Sequence, residues 1–142
     1  MLLSILTPTD ARPAAFALLE RWVAEQDWPH PVQWIVATGE PAGYRFRMNQ
    51  VLCVAAERPG LHPLCRNLLA ALPMVAGDRV LILEDDDYYA PGYLRTMAGL
   101  LEHADLAGLV PARYYNARTR RYRELHNAQH ASLAQTGLVR DA

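Results

Sequence analysis

Apolar runs of four to six residues alternate along this chain with longer stretches whose apolar positions recur at helical spacing. Leu2 to Leu6 is a compact apolar run and predicts a buried strand, closed by Thr7-Pro8-Thr9-Asp10. Phe16, Leu18, Leu19, Trp22 and Val23 then recur every three to four residues and predict a helix to about Gln26. Asp10 can cap it, and Pro13 is tolerated in its first turn. Val32 to Ala37 and Gln50 to Ala55 predict a second and third strand, separated by a loop with Gly39, Pro41 and Gly43. Glu57-Arg58-Pro59-Gly60 predicts a turn, and His62 to Leu72 a second helix ended by Pro73. Arg79 to Leu83 predicts a fourth strand, Pro91 to His103 a third helix, and Leu106 to Pro111 a fifth strand. This alternation predicts an α/β domain with a mostly parallel sheet and helices on its faces.

After Pro111 the pattern changes. Arg113 to Arg123 carries five arginines interleaved with Tyr114, Tyr115 and Tyr122. Asn116-Ala117-Arg118-Thr119 reads as the turn of a hairpin, so residues 111–125 form a basic hairpin. Residues 126–142 are a short tail, weakly helical at best. Its apolar Leu133, Leu138 and Val139 need a cover, and a second copy of the chain is one candidate.

Composition narrows the picture little. At 142 residues the chain is one domain, residues 1–142, with enough apolar sequence for a single core. A net charge of −1 points to no nucleic-acid or anionic-membrane partner. All 14 basic residues other than histidine are arginines, which reads first as codon bias and second as a stock of phosphate ligands. Cys53 and Cys65 match no zinc spacing, no segment reaches the length of a membrane span, and Met1 to Leu6 lacks the basic start of a signal peptide. The expectation is a reduced, cytoplasmic protein.

The chemistry concentrates in Glu84-Asp85-Asp86-Asp87, directly after the fourth strand. Four successive carboxylates repel one another, and an apolar strand leads into them. Ligands of open α/β sheets bind at the C-terminal edge of the strands. Hard oxygen donors there suit Mg²⁺ or Mn²⁺, which in turn hold phosphates. The plainer reading is an acidic loop that favours the start of the next helix.

The flanking residues tip the balance. Ile5-Leu6-Thr7-Pro8-Thr9, Val32-Gln33-Trp34-Ile35-Val36, Gly60 through Arg66-Asn67, and Gly77 through Asp87 with Pro91-Gly92-Tyr93-Leu94 occur in the order seen in family 2 glycosyltransferases. Over residues 2 to 125 the chain resembles the donor-binding half of such an enzyme, which has a GT-A fold. The resemblance implies a nucleotide-diphospho-sugar donor, Mn²⁺ or Mg²⁺ as cofactor, and transfer of the sugar to an acceptor that is a saccharide, a protein or a modified nucleic acid.

Counting back from Pro91 puts Glu84 and Asp86 on the two acids of the Asp-x-Asp motif, with Asp87 directly after. By resemblance Asp86 and Asp87 are then metal ligands, and Thr7, Pro8, Thr9, Arg66, Asn67, Glu84 and Asp85 are donor contacts. Counting forward from the strand promotes Asp85 and Asp87 instead. A late histidine completes the metal shell in some GT-A enzymes, which makes His126 and His130 further candidates, although such pairs are more often surface residues. Two features depart from the family. Ala37-Thr38-Gly39 stand where acids usually meet the nucleotide base. The family's catalytic base lies well beyond the metal motif, in an acceptor half that here is minimal or absent. Glu124 and Asp141 are the acids left as candidates, and no base is assigned. The alternative is a non-catalytic or incomplete module that binds a nucleotide-sugar. A further rival is another metal enzyme using the same acids, a phosphatase or a nucleotidyltransferase; a phosphatase of the haloacid-dehalogenase type fits less well, because its acids follow the first strand.

Overall fold

Strand order is what positions everything else. Six strands form one sheet in the order β3-β2-β1-β4-β8-β5, with β1 Leu3–Pro8, β2 Val32–Thr38, β3 Gln50–Val54, β4 Arg79–Ile82, β5 Leu106–Gly108 and β8 Thr136–Val139. The structure, a computed structural model, describes residues 2–116, 118–126 and 129–140. β1, β2, β3 and β4 run parallel, and β8 runs antiparallel between β4 and β5. A separate two-stranded ribbon joins β6 Ala112–Asn116 to β7 Arg121–Leu125. That ribbon is the expected hairpin. Its turn residue Ala117 lies outside the described residues.

Both faces of the sheet are covered, so its central strands are mostly apolar on both sides. Leu3, Ile5, Trp34, Val36, Leu81 and Leu83 point to one face. They pack there against Phe16, Leu19 and Val23 of α1 (Pro13–Ala24) and Leu94, Met97 and Leu101 in and just after α3 (Tyr93–Leu100). Leu6, Ile35, Ala37 and Val80 point to the other, where α2 (Pro63–Ala71) lies. Ser4, fully buried in β1, is satisfied by donating to Gln33 Oε1 and accepting from Gly77 N. The chain moves from β1 outward to β2 and β3, then returns across β1 to β4. Order therefore reverses between β1 and β4, and the C-terminal ends of these two strands frame a crevice.

Three expectations are corrected. The tail is not weakly helical: after a 3₁₀ turn, Leu133–Gln135, it forms β8 and completes the sheet. Gly137 makes this possible, since a Cβ there would collide with Leu81 and lie 3.1 Å from Leu101 and Met97. Leu138 and Val139 do not need an outside cover, since they pack against the chain's own two cores. Finally, Asp10 does not cap α1. The residue before the helix is Arg12, with no side-chain cap, and Pro13 supplies the preset backbone of the first turn.

Candidate functional site

The crevice between β1 and β4 receives the Thr9 to Arg12 loop from one strand and the acidic run from the other. The four acids differ sharply there. Asp85 is buried, Glu84 and Asp87 are half-buried, and Asp86 is exposed.

Asp85 is the end of a directed hydrogen-bond chain. Thr9 Oγ1 donates to Asp85 Oδ2 and lies 2.7 Å from the Tyr44 hydroxyl. The single Thr9 proton is committed to the carboxylate, so Tyr44 donates to Thr9. Tyr44 in turn accepts from Arg12 N at 3.0 Å. The Thr9 carbonyl accepts from Asn67 Nδ2 at 2.8 Å, and Asn67 Oδ1 accepts from Arg66 Nε at 3.1 Å. Arg66 also pairs with Glu57, and its guanidinium lies so close to Gly39 that a Cβ there would strike it. Arg66 is thus 6% exposed rather than on a helix surface, and with Asn67 it braces the loops beneath the crevice. Thr7 turns to the core side, where its hydroxyl accepts from Trp34 Nε1 at 2.9 Å, and Pro8 is buried in β1.

Glu84, Asp86 and Asp87 make a different arrangement. Each offers one carboxylate oxygen, and the three oxygens lie within 4.8 Å of one another. Burial holds the carboxyl groups of Glu84 and Asp87 above their ordinary range, and the neighbouring acids add to it. Asp85 is also raised by burial, which Thr9 and Arg12 partly offset. Such a set gains from a cation or a proton. Hard oxygens at this spacing fit Mn²⁺ or Mg²⁺. The Glu84 amide donates to the hydroxyl of buried Tyr89 at 2.8 Å, which fixes the backbone where the run begins.

Sequence reasoning missed Arg12. Its Nη2 lies 2.6 Å from Asp85 Oδ1, and its Nη1 donates to Asp86 Oδ2 at 2.6 Å. The first contact is off the hydrogen-bond axis, since Oδ1 has no aligned donor. Burial alone would lower the Arg12 pKa, yet Asp85 and Asp86 outweigh it and raise the value. Tyr44 was missed as well. Neither residue carries a local signal, because their roles depend on chain segments far away in sequence.

The remaining candidates lie elsewhere or are engaged. Glu124 on β7 pairs with Arg113 at 3.0 Å and approaches His126 Nε2 at 3.4 Å. Neither His126 nor His130 belongs to the close group of Glu84, Asp86 and Asp87. Asp141 lies outside the described residues. A cavity of about 540 Å³ sits on the α1–α3 side, lined by Val23, Trp28, Trp34, Met48 and Leu94 among others, and none of the four acids lines it. No helix among the described residues is long and apolar enough to cross a membrane.

No protein-family model and no curated protein matches the sequence. The fold does match solved structures. S. aureus TarS 1–349 aligns with a TM-score of 0.60 at 23% identity, over 75% of this chain and 34% of that one, and TarS 1–349 has also been solved with UDP-GlcNAc. The mannosyltransferase PcManGT from Pyrobaculum calidifontis, in complex with GDP-Man and Mn²⁺, aligns at 0.63 and 17% identity, over 78% of this chain and 35% of that one. The 2-C-methyl-D-erythritol 4-phosphate cytidylyltransferase from Thermus thermophilus aligns at 0.62 and 15% identity, over 99% of this chain and 72% of that one. The chain therefore has a GT-A-like fold and spans about a third of the length of the PcManGT and TarS 1–349 chains.

Proposed function

We propose that this chain binds a nucleotide-diphospho-sugar with a divalent cation and forms the donor-binding part of a glycosyltransferase. The observation that carries the reading is the cluster of Glu84, Asp86 and Asp87, three carboxylate oxygens within 4.8 Å at the point where strand order reverses. The fold it shares with a mannosyltransferase bound to GDP-Man and Mn²⁺ supports it.

Glu84, Asp86 and Asp87 would hold Mn²⁺ or Mg²⁺. That ion would supply charge neutralisation for the departing diphosphate. The chain's own residues do the positioning. Asn67, held by Arg66, holds the Thr9 loop, and Thr9, held by Tyr44, holds the buried Asp85. In the transfer itself, the acceptor hydroxyl oxygen bonds to the anomeric carbon as the bond to the diphosphate oxygen breaks, and the hydroxyl proton passes to a base. That base is left unassigned. Glu124 is held by Arg113 on the ribbon.

The test is a thermal-shift and calorimetry screen of UDP, GDP, CDP and ADP and their sugar conjugates, with Mn²⁺, Mg²⁺ or EDTA. Stabilisation that requires the metal and disappears in Asp86→Ala is expected. Binding that ignores both metal and Asp86 would overturn the reading. A transfer and donor-hydrolysis assay on the same chain separates a catalytic unit from a module that binds without turnover.

A further inference from the structure

The acidic cluster already has a cation, the Arg12 guanidinium. Its two arms are not equivalent. Nη2 rests on Asp85, whose side chain is fully buried and whose Oδ1 has no aligned donor, so withdrawing Arg12 would strand a desolvated charge. Nη1 rests on Asp86, whose side chain is 54% exposed, so water can replace that contact at small cost. The backbone carrying Arg12 is fixed. Ala11 before it holds a left-handed φ of 50°, Arg12 N donates to Tyr44, and helix α1 starts at Pro13. The guanidinium is therefore anchored at one end and exchangeable at the other, and the exchangeable end lies on a carboxylate of the cation cluster.

We propose that Arg12 is a built-in competitor for the divalent cation at Asp86. In the resting protein it ties Asp86 down. Cation binding exchanges the Nη1–Asp86 contact while Nη2 stays on Asp85. The proposal rests on the cation site described under the proposed function and adds a regulatory element to it. Its consequence is a site of weakened affinity for the bare metal ion. The fork of the arginine is essential, because one planar group serves two carboxylates with two different nitrogens. A lysine at this position keeps the charge but has a single nitrogen, which the buried Asp85 retains.

The experiment measures Mn²⁺ affinity by calorimetry on the wild type, Arg12→Lys and Asp86→Asn, with thermal melts in EDTA to establish that each is folded. Asp86→Asn is expected to lose Mn²⁺ binding. Arg12→Lys is expected to bind Mn²⁺ about two- to fivefold more tightly than the wild type, the range set by a half-exposed ion pair. If Arg12 acted only through its charge, the lysine variant would match the wild type. Equal or weaker binding by Arg12→Lys, with binding still dependent on Asp86, overturns the competition and leaves the cation site standing. Absence of Mn²⁺ binding in both the wild type and Arg12→Lys, with and without a nucleoside diphosphate, overturns both. A second measurement needs no variant. In ¹⁵N NMR of the wild type, Mg²⁺ saturation is expected to speed the hindered rotation of one guanidinium group, and rotation that stays slow at saturation overturns the exchange.

Discussion

Asp85 and Asp86 are neighbours in the chain and share one arginine, yet they belong to different regions. Asp85 ends a brace that runs from the exposed Glu57 through the buried Arg66, Asn67 and Thr9, with every link made by a named partner. Asp86 stands on an open rim with Glu84 and Asp87, where three carboxylates converge. Identical side chains one residue apart thus differ in burial and in partners, one closed in by Thr9 and Arg12 and the other open to solvent. The brace stabilises the rim's position, and the rim holds charges that the brace does not neutralise.

The largest effect is expected where the brace loses its charged end. Asp85→Ala removes the acceptor of Thr9 and the anchor of Arg12 and should cost about 2 kcal/mol in urea unfolding. A loss under a quarter of that would show that the loops stand without it. Thr9→Val keeps the shape but leaves Tyr44 and Asp85 each one bond short. About 1 kcal/mol is expected, read from the denaturation midpoint at constant slope.

On the rim the sign reverses. The native Asp87 carboxyl is held above its ordinary value of 3.8, so the native state binds a proton more readily than the unfolded chain. Its contribution to stability is fully present below that ordinary value and is lost as pH rises through the raised one. Asp87→Asn should therefore be more stable than the wild type at pH 7 in EDTA. The advantage should vanish once pH falls below the ordinary value, and paired melts across pH check it. The smallest effect on the fold is expected at Asp86, where alanine should change stability by less than about 0.5 kcal/mol. The same variant should lose the Mn²⁺-dependent stabilisation by a nucleoside diphosphate, so equal thermal shifts for Asp86→Ala and wild type would erase the distinction between the two regions.

Much of this was legible in the sequence because it is local. Val32–Thr38 and Arg79–Ile82 are apolar runs flanked by breakers, and the helices carry their periodicity openly. The acidic run announced itself by composition. What escaped was decided by distant partners. Thr136–Val139 is too short for a period, and its place in the sheet depends on Gly137 admitting Leu81. Arg66 reads as one more helical arginine until Gly39 and Glu57 close around it. Arg12 sits on a loop with no motif, and only the return of the chain to β4 brings two acids to its guanidinium.

The late position of β8 matters during synthesis. Among the described residues β5 pairs with β8 alone, and β4 pairs with β8 on the side away from β1. Until residues 136–139 leave the ribosome, the nascent chain holds four parallel strands with β4 at an open edge, and β5 has no ladder to join. Unpaired edges of this kind invite pairing with other chains, and closure over a long stretch of intervening sequence is slow. The acids of the crevice are thus delivered before the sheet beneath them is sealed. A ribosome stalled in the ribbon would release a chain with its metal-ligand candidates in place and a sticky flank.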